Sequence, residues 1–249
     1  MIIFSMLTET SIPMLKEQVK NRRRIIEMAF KSGGTHLGSA LSTVDIIEAV
    51  YRIKLPNEKF VLSSGHAASA LYTVLESHGY ITNPDINKLG VHPNRKANIA
   101  IDVSSGSLGY GLPIAIGLAI ANRQRRVFCC ISDGECSEGS IFESLRIGSE
   151  NNLVNLITIL NANGYAGYKE INVTKLPQQF KGFGWAVKQV DGHNINALKQ
   201  ALSKKRDKPT IIMAKTKVGQ LPFLKGLDAH YHKMNEEEYK LAIKIWSET

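Results

Sequence analysis

The sequence predicts an α/β fold, a parallel sheet with helices on both faces, running through residues 1–249 as one unit. Three observations carry that expectation. From residue 109 onward, apolar runs of four to seven residues alternate with helix-length segments, the pattern of strands buried on both faces. No low-complexity tract, internal repeat or Pro/Gly/Ser-rich linker divides the chain. The composition, 43% hydrophobic and 21% charged, is that of a soluble folded protein with a sizeable core.

The elements follow in order. Residues 12–30 are helical by period, with Leu15, Val19, Ile25, Ile26, Met28 and Ala29 mostly on one side among Lys and Arg. A Gly-rich break, Ser32-Gly33-Gly34-Thr35-His36-Leu37-Gly38, ends that helix. Ser42 with Asp45 three residues later resembles a capping box without its preferred Glu, so a second helix is predicted from there to about Tyr51. Residues 60–62 form a short strand, and Ser63-Ser64-Gly65-His66 opens a helix through Glu76. The order loop glycine, histidine, helix has then occurred twice. Next come helix 112–122, strand 127–131, helix 140–149, strand 154–160, strand 185–190, helix 195–204, strand 210–214 and helix 235–246. Ligands of such sheets bind beyond the carboxyl ends of the strands.

The charge balance, 31 basic against 22 acidic residues for a net +9, needs a partner or a phosphate to explain it without identifying one, and an anionic cofactor or an acidic partner subunit explains the sign. Basic clusters at 22–24, 123–126 and 204–208 are not interleaved with aromatic residues, and no nucleic-acid motif is present. The apolar run from Met1 to Leu7 is too short for a signal core, and no segment approaches the roughly 18 apolar residues of a membrane span. A cytoplasmic chain is expected. Cys129, Cys130 and Cys136 have neither metal-ligand nor disulfide spacing and are expected to be reduced thiols in the core.

The chemistry-bearing residues lie at strand ends. Strand 127–131 runs into Ser132-Asp133-Gly134-Glu135, and the next strand into Asn161-Ala162-Asn163-Gly164. The 30 residues from Asp133 to Asn163 accommodate a loop, a helix and a strand, so neighbouring parallel strands bring a carboxylate and an amide oxygen together. These are hard oxygen ligands of the kind magnesium takes while it also holds a diphosphate. Gly134 lets the backbone approach a phosphate and offer its N–H. Asp-Gly and Asn-Gly are also common turn dipeptides. Four histidines tip the balance: His36, His66, His92 and His230 each sit in a Gly-, Ser- or Pro-containing loop or at a helix start. Imidazoles suit hydroxyl, carbonyl and phosphate groups as proton shuttles and donors. His78 and His193 read as surface turn residues, and His232, two positions from His230, is ambiguous.

These segments resemble the thiamine diphosphate-dependent transketolases. Asp133-Gly134 followed by Asn163 is similar to the family's G-D-G motif and later asparagine. Thr35-His36-Leu37-Gly38-Ser39 resembles S-G-H-P-G, and Leu62-Ser63-Ser64-Gly65-His66-Ala67 resembles L-S-N-G-H-A. Val91-His92-Pro93 is similar to G-H-P, and the run from Ser105 to Gly111 to T-G-P-L-G-Q-G. Five motifs in the family's order make the resemblance specific. It covers nearly the whole chain, 1–249, as a single diphosphate-binding domain, which is the amino-terminal part of a full-length enzyme. Ser132 replaces the first glycine of G-D-G, as in two-subunit transketolases, and the stretch from Ala229 to His232 matches only approximately.

The resemblance implies roles. Asp133, Asn163 and the carbonyl of Tyr165 would ligate magnesium. Gly134 and Glu135 would belong to the diphosphate end, with His66 and His230 near the diphosphate and thiazolium. His36 and His92 would face the sugar hydroxyls, and Gly106 and Leu108 the aminopyrimidine side. Glu138, five residues after Asp133, would join a carboxylate relay across a subunit interface. The chain stops where the pyrimidine-binding domain would begin, so the resemblance implies a separate carboxy-terminal subunit, two copies of each in a heterotetramer, and no activity for this chain alone. Two other readings stand beside it. A 2-oxo acid dehydrogenase alpha subunit binds the same diphosphate and metal, but the histidine-rich loops disfavour it. A non-catalytic regulatory relative would lack the metal ligands or the histidines, and both are present.

Overall fold

The computed structural model describes residues 14–34 and 36–247. In chain order these form α1 (Lys16–Ser32), α2 (Leu37–Tyr51), β1 (Lys59–Leu62), α3 (Ala68–Ser77), α4 (Ile86–Leu89), α5 (Gly111–Ala121), β2 (Val127–Ser132), α6 (Gly139–Glu150), β3 (Leu156–Ala162), α7 (Leu176–Gly182), β4 (Ala186–Asp191), α8 (Ile195–Ser203), β5 (Thr210–Lys215) and α9 (Glu236–Ile245). The five strands make one sheet in the order β1-β2-β3-β5-β4, and every neighbouring pair is parallel.

The near-continuous apolar strands have a direct reason. Side chains alternate between faces, and here both faces are covered. Phe128, Cys130, Ile157, Ile159, Ile212 and Ala214 pack into one core with α1, α2, α3, α8 and α9. Their neighbours Cys129, Ile131, Leu156, Leu160, Ile211 and Met213 pack into a second core with α5, α6 and α7. The α/β fold with helices on both faces is therefore what the chain adopts. All fifteen residues of α2 are buried, because it lies against the sheet and is flanked by α1, α3 and α8. On the other face α5 is apolar all round, and Tyr110, Ile114 and Ile120 remain exposed. Among the described residues, no helix is long and apolar enough to cross a membrane.

Several local expectations are corrected. The second helix starts at Leu37, not at Ser42, with His36 at its N-cap. Ser42 and Thr43 instead donate back to the carbonyl of Ser39 at 2.9 and 2.7 Å, a bond that lets hydroxyl residues sit inside a helix. The first helix starts at Lys16, where the Gln18 side chain accepts from the Leu15 N–H at 3.0 Å; positions 12 and 13 lie outside the described residues. The third strand begins at Leu156 rather than 154 and carries Asn161 and Ala162 within it. The short helices α4 and α7 were not expected from period; α7 is a two-turn helix whose first turn holds Pro177.

Candidate functional site

The registers of the central strands place the chemistry. Ser132 at the end of β2 pairs with Asn161 of β3, and the Asp133 N–H donates to the Asn161 carbonyl at 3.2 Å. Asp133 and Asn163 thus leave adjacent strands on the same side of the sheet, as their spacing predicts. Asp133 is fully buried. Its Oδ1 accepts from Gly134 N–H at 2.9 Å and its Oδ2 from Gly164 N–H at 2.6 Å. Burial nevertheless dominates these bonds and pushes its pKa up to about 7. Asn163 directs its Oδ1 to the Tyr165 N–H at 2.9 Å and its amide to Ser42 at 3.4 Å. Gly164 has φ +87°, a left-handed turn that returns the chain towards Asp133.

Three imidazoles gather next to this pair. The rings of His36, His66 and His230 lie 4.7 to 5.3 Å apart in every pairing. They come from three separate connections: the α1–α2 break, the loop after β1 and the turn Gly226–His230 after β5. His36 adopts φ +66° and donates its N–H to the His230 carbonyl at 2.9 Å. Burial, reinforced by the neighbouring imidazoles, pulls His66 down to about 3 and His36 to about 4, and burial lowers His230 as well. All three are therefore neutral near pH 7, each with one N–H to donate and one nitrogen to accept.

His66, His230, Leu108, Gly134, Asn163 and Tyr165 line one cleft of ≈ 100 Å³, together with Tyr168 and Tyr231 at its mouth. A larger concavity of ≈ 580 Å³ lies on the surface between α1 and α3. The functional groups do not converge there, and its Arg24 is already paired with Glu76 at 2.6 Å. The cleft's chemistry fits a hydrated divalent cation with a diphosphate. Asn163 and Tyr165 on its lining offer an amide and a carbonyl oxygen, and Asp133, bonded to its Gly134 wall, a carboxylate; no cluster of three His, Cys, Asp or Glu residues competes for a metal among the described residues.

The remaining site residues fall into two groups. His92 is exposed and stands outside the ring cluster, with its side chain against Gly106. Gly106 in turn abuts Gly65 so closely that a Cβ on Gly65 would lie 2.8 Å from the Gly106 nitrogen. Glu135 is buried and gives both oxygens to the chain's own donors: Ser63 Oγ and Gly109 N–H on one, Ser132 N–H and Oγ on the other. Glu138 occupies the N-cap position of α6, without a side-chain cap bond, and packs against Gly109.

The other three histidines are tied to acids. His78 and His193, expected to be surface turn residues, lie 3.2 Å from the buried Glu48 and 2.9 Å from the buried Asp45. α3 and α8 pack beside α2, so the turns at the end of α3 and before α8 meet α2 carboxylates distant in sequence. His232 lies 2.9 Å from Glu238 and stacks on Phe223 at 5.2 Å, which settles that His230, not His232, enters the cluster. Sequence reasoning missed Tyr231 and Tyr168. The only available signal was Tyr231 between two histidines; nothing local marks Tyr168.

Residues 16–247 match the family described as transketolase, thiamine diphosphate binding domain. Transketolase-like protein 2 of Bos taurus is 35% identical over 245 residues, covering 86% of this chain and 39% of that protein. The 6-deoxy-6-sulfo-D-fructose transketolase subunit SqwG of Clostridium sp. is 30% identical over 270 residues, covering 95% of this chain and 97% of that subunit. Transketolase from Campylobacter jejuni shares the fold, with a TM-score of 0.82 over 95% of this chain and 43% of that one at 24% identity. The chain thus spans about two fifths of the bovine relative and nearly all of the clostridial subunit. With the motif residues gathered at the ends of β2 and β3, the chain belongs to the transketolase family, as its thiamine diphosphate-binding domain.

Proposed function

We propose that this chain, residues 1–249 as a single diphosphate-binding domain, is the amino-terminal subunit of a two-subunit transketolase. It moves a two-carbon ketol unit from a ketose or ketose phosphate to an aldose. The observation that carries the reading is a cleft lined by Asn163, His66 and His230, with the buried Asp133 carboxylate next to its Gly134 wall and the His36 ring against both imidazoles. The family match and these histidines favour it over a 2-oxo acid dehydrogenase alpha subunit.

When bound, thiamine diphosphate supplies the nucleophilic carbon that accepts and passes on the ketol unit. Asp133, Asn163 and the Tyr165 carbonyl would hold magnesium, whose charge relieves the cost of the buried Asp133 carboxylate. Gly134, whose N–H is on Asp133 itself, and Glu135, which braces the turn, serve the diphosphate end. His66 and His230 stand nearest that end, while His36 and the exposed His92 face the sugar hydroxyls. A neutral imidazole accepts a hydroxyl proton and, through its other nitrogen, donates to a carbonyl oxygen. Gly106 and Leu108 offer the aminopyrimidine a flat approach.

A cleft of ≈ 100 Å³ is well below the roughly 300–1,000 Å³ of complete small-molecule sites. A carboxy-terminal, pyrimidine-binding subunit supplies the remaining walls in this reading. The exposed apolar side of α5 and the half-buried Glu138 suit contacts between two copies of this chain in a heterotetramer. Near-complete coverage of a relative named as a subunit supports the division into two chains. The reading includes a cytoplasmic setting, to which three buried free cysteines are suited. Reconstitution tests it: ketol transfer should require both subunits with magnesium and thiamine diphosphate. Turnover by this chain alone, or a tight complex that never transfers a ketol unit, would refute it, the second outcome pointing to a non-catalytic relative.

A further inference from the structure

The segment 216–225 between β5 and the turn Gly226–His230 has no regular secondary structure, yet it delivers His230 to the cleft. Its placement must come from anchors outside it. The Lys217 N–H donates to His193 Nε2 at 3.0 Å. Gln220 Oε1 accepts from Arg22 Nε at 2.9 Å, and Gln220 Nε2 donates to the Leu41 carbonyl at 2.9 Å. Because His193 Nε2 accepts, its Nδ1 carries the proton and donates to Asp45 Oδ2 at 2.9 Å. Arg22 grips the same carboxylate bidentately at 2.6 and 3.0 Å. Arg22 and Asp45 are each 1% exposed, and both groups that hold Asp45 also hold the segment.

The far end is fastened to the same helix. The His36 N–H at the α2 N-cap donates to the His230 carbonyl. A Cβ on Gly38 would lie 2.6 Å from Val218 and 3.6 Å from Ala229, so α2 and the segment pass in close contact. One helix therefore fixes both ends of the segment, through Asp45 and Leu41 below and through His36 above. A buried ion pair contributes little net stability against an apolar replacement; what this one supplies is a fixed attachment point.

We infer that Asp45, Arg22, His193 and Gln220 form a positioning network that sets where His230 stands relative to His36 and His66. The functional weight of the inference rests on the proposed role of those histidines; the placement itself does not. The test uses the 249-residue chain with Gln220→Met, which keeps volume and removes all three side-chain hydrogen bonds, to Arg22, Leu41 and Lys217, and Gln220→Glu, which keeps an acceptor for Arg22. In Gln220→Met, amide exchange across 217–231 should accelerate at least about tenfold, as expected for three lost hydrogen bonds. Exchange in β2 and β3 should not change. The imidazole carbon–proton signals of His36 and His230 should shift, and Gln220→Glu should restore part of both effects. Unchanged exchange and unshifted imidazoles in Gln220→Met would overturn the inference. So would acceleration spread equally through the sheet, or a Gln220→Glu variant no closer to the parent than Gln220→Met. Failure of the transketolase reading is distinguishable, because it appears as absent ketol transfer by the wild-type reconstituted pair while the exchange result stands.

Discussion

The histidines of the cleft and those of the periphery obey opposite electrostatic rules. His78, His193 and His232 each lie within 3.2 Å of a carboxylate, so their polar atoms are used within the fold. His36, His66 and His230 have one another as ring neighbours, and burial keeps them uncharged. The two buried carboxylates at the end of β2 differ in the same way. Glu135 is surrounded by four donors from the chain, including the Ser63 and Ser132 hydroxyls. Asp133, two residues earlier, receives only backbone N–H groups and sits beside the cleft. Burial alone does not mark a functional group; burial beside the cleft does.

The sharpest way to break this contrast is to remove one ring from each class. His66→Ala in the reconstituted enzyme should lower turnover by about 10²- to 10⁴-fold, the range for a lost acid–base group, while His78→Ala leaves turnover unchanged. Equal losses in steady-state assays would erase the distinction. Asp133→Ala should weaken magnesium-dependent thiamine diphosphate binding by at least about a hundredfold, more than loss of a supporting contact costs. Isothermal titration calorimetry showing undiminished binding would remove Asp133 from the metal site.

Stability gives the converse comparison. His78→Ala takes one partner from the buried Glu48 and leaves Arg52, bonded at 2.6 Å; a loss of about 1–3 kcal/mol is expected, read from urea denaturation. A variant as stable as the parent would make that pair decorative. The smallest effect is in pH. His66 and His36 fold with pKa values of about 3 and about 4, below the ordinary 6.5. Between 6.5 and 4 the unfolded chain therefore takes up protons that the folded rings refuse, so this contribution is present above 6.5 and lost as the pH falls. His66→Gln should flatten the acid limb of Tm against pH. An unaltered slope would show that His66 is not held neutral by its burial.

Much of the architecture was legible because it rests on neighbours close in sequence. Strand runs such as 127–131 and 210–214 are apolar on both faces, and that pattern requires helices above and below whatever the strand order. Asp133 and Asn163 could be joined from spacing because a strand–helix–strand unit has little freedom in where its second strand ends. Ser42 shows the limit of the local signal: it has the residues of a cap, yet the helix starts at Leu37, and Gly38 in its first turn lies close against Val218 from a segment far along the chain.

What only the tertiary structure decided is which side chains share a space. The sequence determined that His36, His66, His92 and His230 lie in loops near strand ends, since glycine and the start of a helix leave local marks. It did not determine that three of them form one cluster while His92 stands apart on Gly106, that His230 rather than His232 turns inward, or that His193 is bonded to Asp45, 148 residues away in sequence. Strand order has the same origin: β5 is inserted between β3 and β4. Local pattern is written by interactions a few residues apart, whereas the meeting of separate loops is set by the packing of the whole chain, by which helix each loop is fastened to and how closely two backbones can pass.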